Sequence, residues 1–136
     1  MTSGVDLPAD CPPLGHKAAD GTFYRLAEKE LQPGDKAGKG SWRKPYKVRG
    51  PSLGKTDVCG AHALSLFKDL EVLREARALS PWAAGKSIAQ TVLTPTMGRV
   101  LETPSPFAES HHDWWPNPDD FVPDADVIEA QLEVRL

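Results

Sequence analysis

The last nine residues alternate without a break. Ile128, Ala130, Leu132, Val134 and Leu136 are apolar, while Glu129, Gln131, Glu133 and Arg135 are polar. This period of two predicts a strand over 128–136 with one face buried. A helix would scatter the same apolar residues around its axis. A second strand is predicted over 22–27, Thr-Phe-Tyr-Arg-Leu-Ala, which is rich in β-formers and comes after an Asp20-Gly21 turn signal. Phe23 and Arg25 would share one face and Tyr24 and Leu26 the other. Residues 60–67, with Leu64, Leu66 and Phe67, read as a mostly buried strand. Asp69 is a good N-cap for a helix beginning at Leu70. Leu70, Leu73, Ala76 and Leu79 recur every three residues and predict that helix over 70–79, with Glu71, Arg74, Glu75 and Arg77 outside and Ser80-Pro81 as its stop. Residues 87–93 form the next strand. A turn over 94–98 leads to a strand over 99–103, paired with it as an antiparallel hairpin. The pattern defines an α+β fold: a single mostly antiparallel sheet of four to six strands, one main helix and long Pro/Gly-rich loops.

Composition locates those loops. The chain of 136 residues holds 13 prolines and 11 glycines, about 18% against a usual ~12%. This excludes a helical bundle, a coiled coil and a collagen-like repeat. The excess gathers in an N-terminal arm (1–20), read as flexible, a basic loop (31–60) and a Trp/His loop (94–124). Residues 21–136 form a single α+β domain, as the length predicts. No apolar run reaches the ~18–20 residues needed to span a bilayer. The N-terminus lacks the basic and apolar regions of a secretory signal. The two cysteines, Cys11 and Cys59, are too few for a disulfide framework. Together these features predict a cytoplasmic protein without a membrane partner.

Charge divides the chain. The formal net charge is −3, yet seven basic residues and no acidic one lie between Lys36 and Lys55. From Glu109 onward there are eight acidic residues and only Arg135 is basic. Mutual attraction and solvated faces account for much of this asymmetry. The functional reading is a basic patch, Arg43, Lys44, Lys47 and Arg49, for a protein or nucleic-acid partner. Arg25, inside an apolar strand, must find an anion or reach water. It is either paired with the acidic tail or available as a phosphate clamp. His111 and His112 precede Trp114-Trp115-Pro116, the most unusual cluster in the sequence. Adjacent tryptophans in a loop cannot face the same way, so one would plug the core and the other could stack on a ligand ring.

Other motifs carry less. The segment Gly50-Pro51-Ser52-Leu53-Gly54-Lys55-Thr56 is one residue short of a phosphate-binding P-loop, and a glycine turn with a solvated lysine explains it. Cys59 and His62 with His111 and Asp113 lack regular zinc-ligand spacing, so no metal is assigned. Cys59 with a histidine could in principle form a thiol nucleophile and base.

The order of the pieces, Phe23-Tyr24-Arg25, a long glycine-rich segment, Ala63-Leu64-Ser65-Leu66-Phe67, a helix, then Ile88-Ala89-Gln90-Thr91-Val92, resembles the front half of small bacterial ADP-ribosyltransferase-like domains, toxin types included. The resemblance covers roughly 22–103. It implies a split sheet that holds NAD, with Arg25 on the phosphates or ribose, Ser65 bracing the nicotinamide pocket, and Tyr24 or a tryptophan stacked on the ring. It also implies a late catalytic glutamate. Glu102, Glu109 and Glu129 are available, and none sits in a Gln/Glu-x-Glu element. The chain is also similar to small bacterial proteins with a Tyr-Arg start and a His-x-x-Trp element, here His111 or His112 with Trp114 or Trp115.

The expected function is a binding or interaction module. Its ligand-binding residues would be Tyr24, Arg43, Lys44, Lys47, Arg49, His112, Trp114 and Trp115. Its partner would be a protein, or nucleic acid through the basic loop. The alternative is an NAD-dependent ADP-ribosyltransferase or NAD-cleaving enzyme with Arg25, Ser65 and Glu109 as catalytic residues; NAD enters as a cofactor only there. A cleft lined by Arg25, Ser65, a glutamate and an aromatic would favour the enzyme. Arg25 paired with the tail acids, and no cleft, would favour the module.

Overall fold

A computed structural model describes residues 11–42, 59, 62–118 and 121–132. Its elements are β1 (Lys17–Ala18), β2 (Gly21–Ala27), β3 (Leu64–Phe67), α1 (Leu70–Leu79), α2 (Pro81–Ala84), β4 (Ser87–Leu93), β5 (Gly98–Glu102), β6 (His111–Pro116) and β7 (Ala125–Glu129). The fold is α+β. One antiparallel sheet of seven strands runs in the order β1-β5-β6-β3-β2-β4-β7, one strand more than the upper expectation, and the two helices exceed the expected one.

The sheet is two part-sheets joined at a narrow seam. β2 pairs with β4 over its whole length, from Gly21 opposite Leu93 to Ala27 opposite Ser87. It registers with β3 only where Tyr24 faces Phe67. Beyond that point β2 and β3 part, and Arg25 lies on the margin of the gap.

Each face of the sheet carries its own core. Phe23, Leu64, Leu66, Leu93, Val100, Trp114 and Val127 fill one side, with Trp42 packed edge-on against Trp114. The other side joins Phe67 and Ile88 to Leu73 and Ala76 of α1. α1 matches its predicted bounds, and the Asp69 carboxylate accepts from the Val72 amide at 3.1 Å. Its inward face differs from expectation. A three-residue repeat outruns the 3.6-residue turn, so Leu79, two and a half turns beyond Leu70, points away and is 84% exposed. Arg77, about two full turns beyond Leu70, takes the inward place expected to be outside. It is 3% exposed and donates to the carbonyls of Lys86 and Ala130 and to Glu129.

Three further expectations are corrected. The hairpin between 87–93 and 99–103 does not form. β4 lies between β2 and β7, while β5 lies between β1 and β6. The short 3-10 turn Pro95–Met97 carries the chain from one part-sheet to the other. Gly98 completes the crossing with φ +121°, and a Cβ there would lie 2.1 Å from the Trp115 carbonyl oxygen, so only glycine fits. The Trp/His loop is instead a strand, β6, central to its part-sheet. The C-terminal strand starts earlier than expected and ends at Glu129. Ala125 and Val127 are buried, but Ile88 faces Glu129 while Ala89 faces Val127, so Ile128 is the extra residue of a bulge. Alternation puts Ile128 on the helix side, and the bulge brings Glu129 to that side as well, where Arg74 and Arg77 hold it. Residues 133–136 lie outside the described residues.

Of the N-terminal arm, residues 17 and 18 pair with β5, and Ala19 is fully buried. A disulfide joins Cys11 to Cys59, with Cα atoms 5.5 Å apart. No helix among the described residues is long and apolar enough to cross a membrane.

Candidate functional site

The cleft opens where β2 and β3 part. Its volume is about 320 Å3, and its walls come from four separated stretches: Arg25 and Leu26; Ala63, Leu64, Ser65 and Phe67; Trp82 and Lys86; and Ser105, Phe107 and His111. No carboxylate is among these lining residues.

Arg25 spans the gap. Its Nε donates to the Ser41 carbonyl at 2.6 Å and its Nη1 to the Ser65 carbonyl at 2.7 Å. The guanidinium lies over the Trp42 ring, 5.2 Å from its centre. Burial pushes its pKa down to about 10, which still leaves it charged at neutral pH. Both fates expected for Arg25 assumed an anion. The structure gives it neutral carbonyls and a ring, and no carboxylate among the described residues pairs with it. The tail acids attract Lys36 instead, whose Nζ lies 2.8 Å from Asp124 and 2.7 Å from Asp126.

Ser65 and His111 meet through the β3–β6 pairing. Ser65 faces Asp113 and Phe67 faces His111 in register. Alternation puts all four side chains on one face. Ser65 Oγ lies 2.9 Å from His111 Nε2. His111 Nδ1 lies 2.8 Å from the Thr103 carbonyl oxygen, with the Thr103 hydroxyl at 2.9 Å. A carbonyl can only accept, so Nδ1 carries the proton of the neutral ring. Nε2 is then the acceptor and the Ser65 hydroxyl the donor. Phe67 packs edge-on against His111 at 5.4 Å and against Phe107 at 5.7 Å. Trp82, 61% exposed, leans on Phe107 at 5.1 Å and forms the rim. Within the loop after β5, the Ala108 amide donates to the Ser105 hydroxyl at 3.2 Å and the Ser105 amide to the Ala108 carbonyl at 3.2 Å.

A second cavity of about 730 Å3 lies elsewhere. Lys17, Asp20, Phe23, Lys68, Asp69, Glu102, Glu109 and His112 are among its lining residues. His112 comes directly after His111 in β6 and so points to the opposite face, against Phe23 at 5.6 Å. Its Nδ1 donates to the Ser110 carbonyl at 2.8 Å. Lys68 Nζ sits 4.3 Å from the centre of the Phe23 ring.

The predicted site residues are therefore divided. Arg25 and Ser65 share the first cleft, whereas Glu109 and His112 belong to the second cavity. Glu102 lies there too, and Glu129 is held by Arg74 and Arg77. Tyr24 packs into the helix-side core. Trp114 is fully buried and Trp115 is 6% exposed, so neither ring is presented for stacking. Their indole N–H groups donate to the carbonyls of Met97 and Cys59, each at 3.0 Å. Arg43, Lys44, Lys47 and Arg49 lie outside the described residues. Cys59 is bonded to Cys11, which removes its thiol from nucleophilic chemistry. Sequence reasoning did not single out Trp82, Lys86, Phe107 or the Ser65–His111 contact. The contact depends on strand register, for which the sequence holds no local signal.

Comparison with protein-family models, curated proteins and solved structures finds no match.

Proposed function

We propose that this domain is a binding module whose ligand enters the cleft at the β2–β3 seam, and that the ligand couples an anionic group to a planar ring. One observation carries the reading: Arg25 brings a positive charge to a cleft with no carboxylate among the described residues of its lining. Removing a charge from water is costly unless a partner compensates. An anion here gains a charge-assisted hydrogen bond and a cation already held in place. Lys86 adds a second positive charge to the lining, and Phe67, Phe107 and Trp82 supply a wall for a ring. The volume is at the low end of the ~300–1,000 Å3 typical of ligand sites. It suits one ring with its sugar or phosphate rather than a whole dinucleotide. The basic segment 36–55 extends the proposal to a macromolecular partner, protein or nucleic acid.

A second reading is favoured by the same placement. Arg25, Ser65 and aromatic rings line one cleft at a split in the sheet, as an NAD-dependent ADP-ribosyltransferase or NAD-cleaving enzyme would require. No glutamate that could stabilise an oxocarbenium-like ribose is among the described residues of this lining. Asp113, opposite Ser65 in register, is a carboxylate on the same sheet face. The first reading is preferred because the expected catalytic set of Arg25, Ser65 and Glu109 is split between two cavities.

Titration of tryptophan fluorescence with NAD, ADP-ribose and pyrophosphate tests both readings. Binding that weakens about 10- to 100-fold in Arg25→Met supports the module. Because Arg25 also braces Ser41 and Ser65, Trp82→Ala at the exposed rim provides a second variant, expected to weaken only the ring-bearing ligands. Release of nicotinamide from NAD would select the enzyme. Equal anion binding in the wild type and Arg25→Met would end the proposal.

A further inference from the structure

We propose that Ser65 is a nucleophile activated by His111, and that the cleft carries an acyl-transfer activity toward small esters. The proposal concerns the cleft already described and adds a reaction to it. Three features of the geometry support it. First, the tautomer is set: the Thr103 carbonyl holds the proton on Nδ1, leaving the Nε2 lone pair toward Ser65 Oγ at 2.9 Å. A nucleophile, a base within hydrogen-bond reach and a third group that orients the base are the parts of a serine-type dyad. Thr103 is the positioning residue. Second, the pair is held rigidly. Ser65 and His111 lie on adjacent paired strands, and the imidazole packs edge-on against Phe67. Third, Ser65 and His111 both line the cleft, so an ester carbonyl can approach the hydroxyl. Arg25 lines the same cleft, its Nη1 held 2.7 Å from the Ser65 main-chain carbonyl, and adds a positive charge to the lining.

The steps balance. Ser65 Oγ attacks the ester carbonyl carbon as its proton passes to His111 Nε2. The tetrahedral oxyanion collapses, the bond from carbon to the leaving oxygen breaks, and the imidazolium returns the proton to the departing alkoxide. Water then attacks the acyl carbon and gives a proton to Nε2. Ser65 leaves and takes that proton back. The net reaction is ester plus water to acid plus alcohol, with no oxidant or cofactor. A neutral apolar acyl group fits the Phe67–Phe107–Trp82 wall, and an acyl group ending in a carboxylate would also meet Arg25 and Lys86.

The full chain should be treated with phenylmethylsulfonyl fluoride and analysed by peptide mass spectrometry, and its turnover of p-nitrophenyl acetate and p-nitrophenyl hemisuccinate should be measured. The expected result is sulfonylation at Ser65 and hydrolysis above buffer. Ser65→Ala should lose both, and His111→Gln should lower the rate by about 100-fold or more while remaining folded by circular dichroism. Unlabelled Ser65 with no turnover of either ester overturns the proposal, as does equal turnover in Ser65→Ala. The two esters separate this claim from the binding proposal. Turnover of both at equal efficiency keeps the dyad and removes the anion preference; anion binding without labelling does the reverse.

Discussion

The two cavities differ in size and in charge, and the smaller is the better candidate. The second, about 730 Å3, is lined by Lys17 and Lys68 but also by Asp20, Asp69, Glu102 and Glu109. Its charges answer one another: Lys17 lies 3.9 Å from Glu102, and Asp69 is committed to capping α1. The cleft at the seam, about 320 Å3, has Arg25 and Lys86 with no carboxylate among the described residues of its lining, a wall of aromatic rings and a hydrogen-bonded serine and histidine. Local charge imbalance and polar groups fixed before a ligand arrives mark a site more reliably than volume does.

Loss of the disulfide should cost the fold that holds both cavities more than any single side chain does. The Cys11–Cys59 bridge spans 48 residues of sequence, and a loop of that length is worth about 4 kcal/mol in the chain-entropy model. Reduction, or a Cys11→Ser/Cys59→Ser double variant, should lower the denaturant midpoint accordingly. An unchanged midpoint would show that the bridge does not hold the fold. Disulfides persist in oxidising compartments and are rare in the cytosol, so the bridge counts against the cytoplasmic placement expected from the sequence.

The next effect sets the cavities against each other. Arg25→Met should weaken pyrophosphate binding by about 10- to 100-fold, while Lys68→Met should leave it within about two-fold. The reverse order, read by calorimetry, would move the site to the second cavity. Asp69→Ala, also in the second cavity, should cost about 1 kcal/mol of stability through the lost cap and leave ligand affinity unchanged. Thermal melts and titrations of one sample distinguish the two outcomes.

The smallest effect is one of pH. Loss of hydration lowers the Arg25 pKa to about 10. A base with a lowered folded-state pKa is charged below that value and neutral above it. Anion affinity due to Arg25 should therefore stay level from about pH 7 to pH 9 and fall as the pH passes about 10. The same shift means that charged Arg25 costs folding stability below about pH 10, and the cost is relieved as the pH rises toward the ordinary arginine range. Affinity that falls already between pH 7 and 9 would point to a different cation.

Sequence pattern specified the elements whose signals are local. Residues 70–79 and 87–93 fold within their predicted bounds, because an Asp cap, a Ser-Pro stop and a β-branched run act over a few residues. β6 was obscured because His-His-Asp-Trp-Trp-Pro, bracketed by prolines, alternates only weakly. The pairing of β5 with β1 and β6, rather than with β4, depends on long-range contacts, with Gly98 passing under the Trp115 carbonyl. Of the site, Arg25 is legible as a charge in an apolar strand that needs a reason, while Ser65 enters only through the resemblance. Their meeting with His111 is not legible, because it depends on placing Phe67 opposite His111, and a slip of one residue would substitute His112.

Amide chemical-shift mapping with ADP-ribose reports on both cavities in one titration. Saturable shifts at Ser65, Phe107 and His111, with Glu109 and Lys68 unmoved, are the predicted result. Shifts centred on Lys68, Glu109 and Ser110, or none at millimolar ligand, would contradict the placement of the site at the β2–β3 seam.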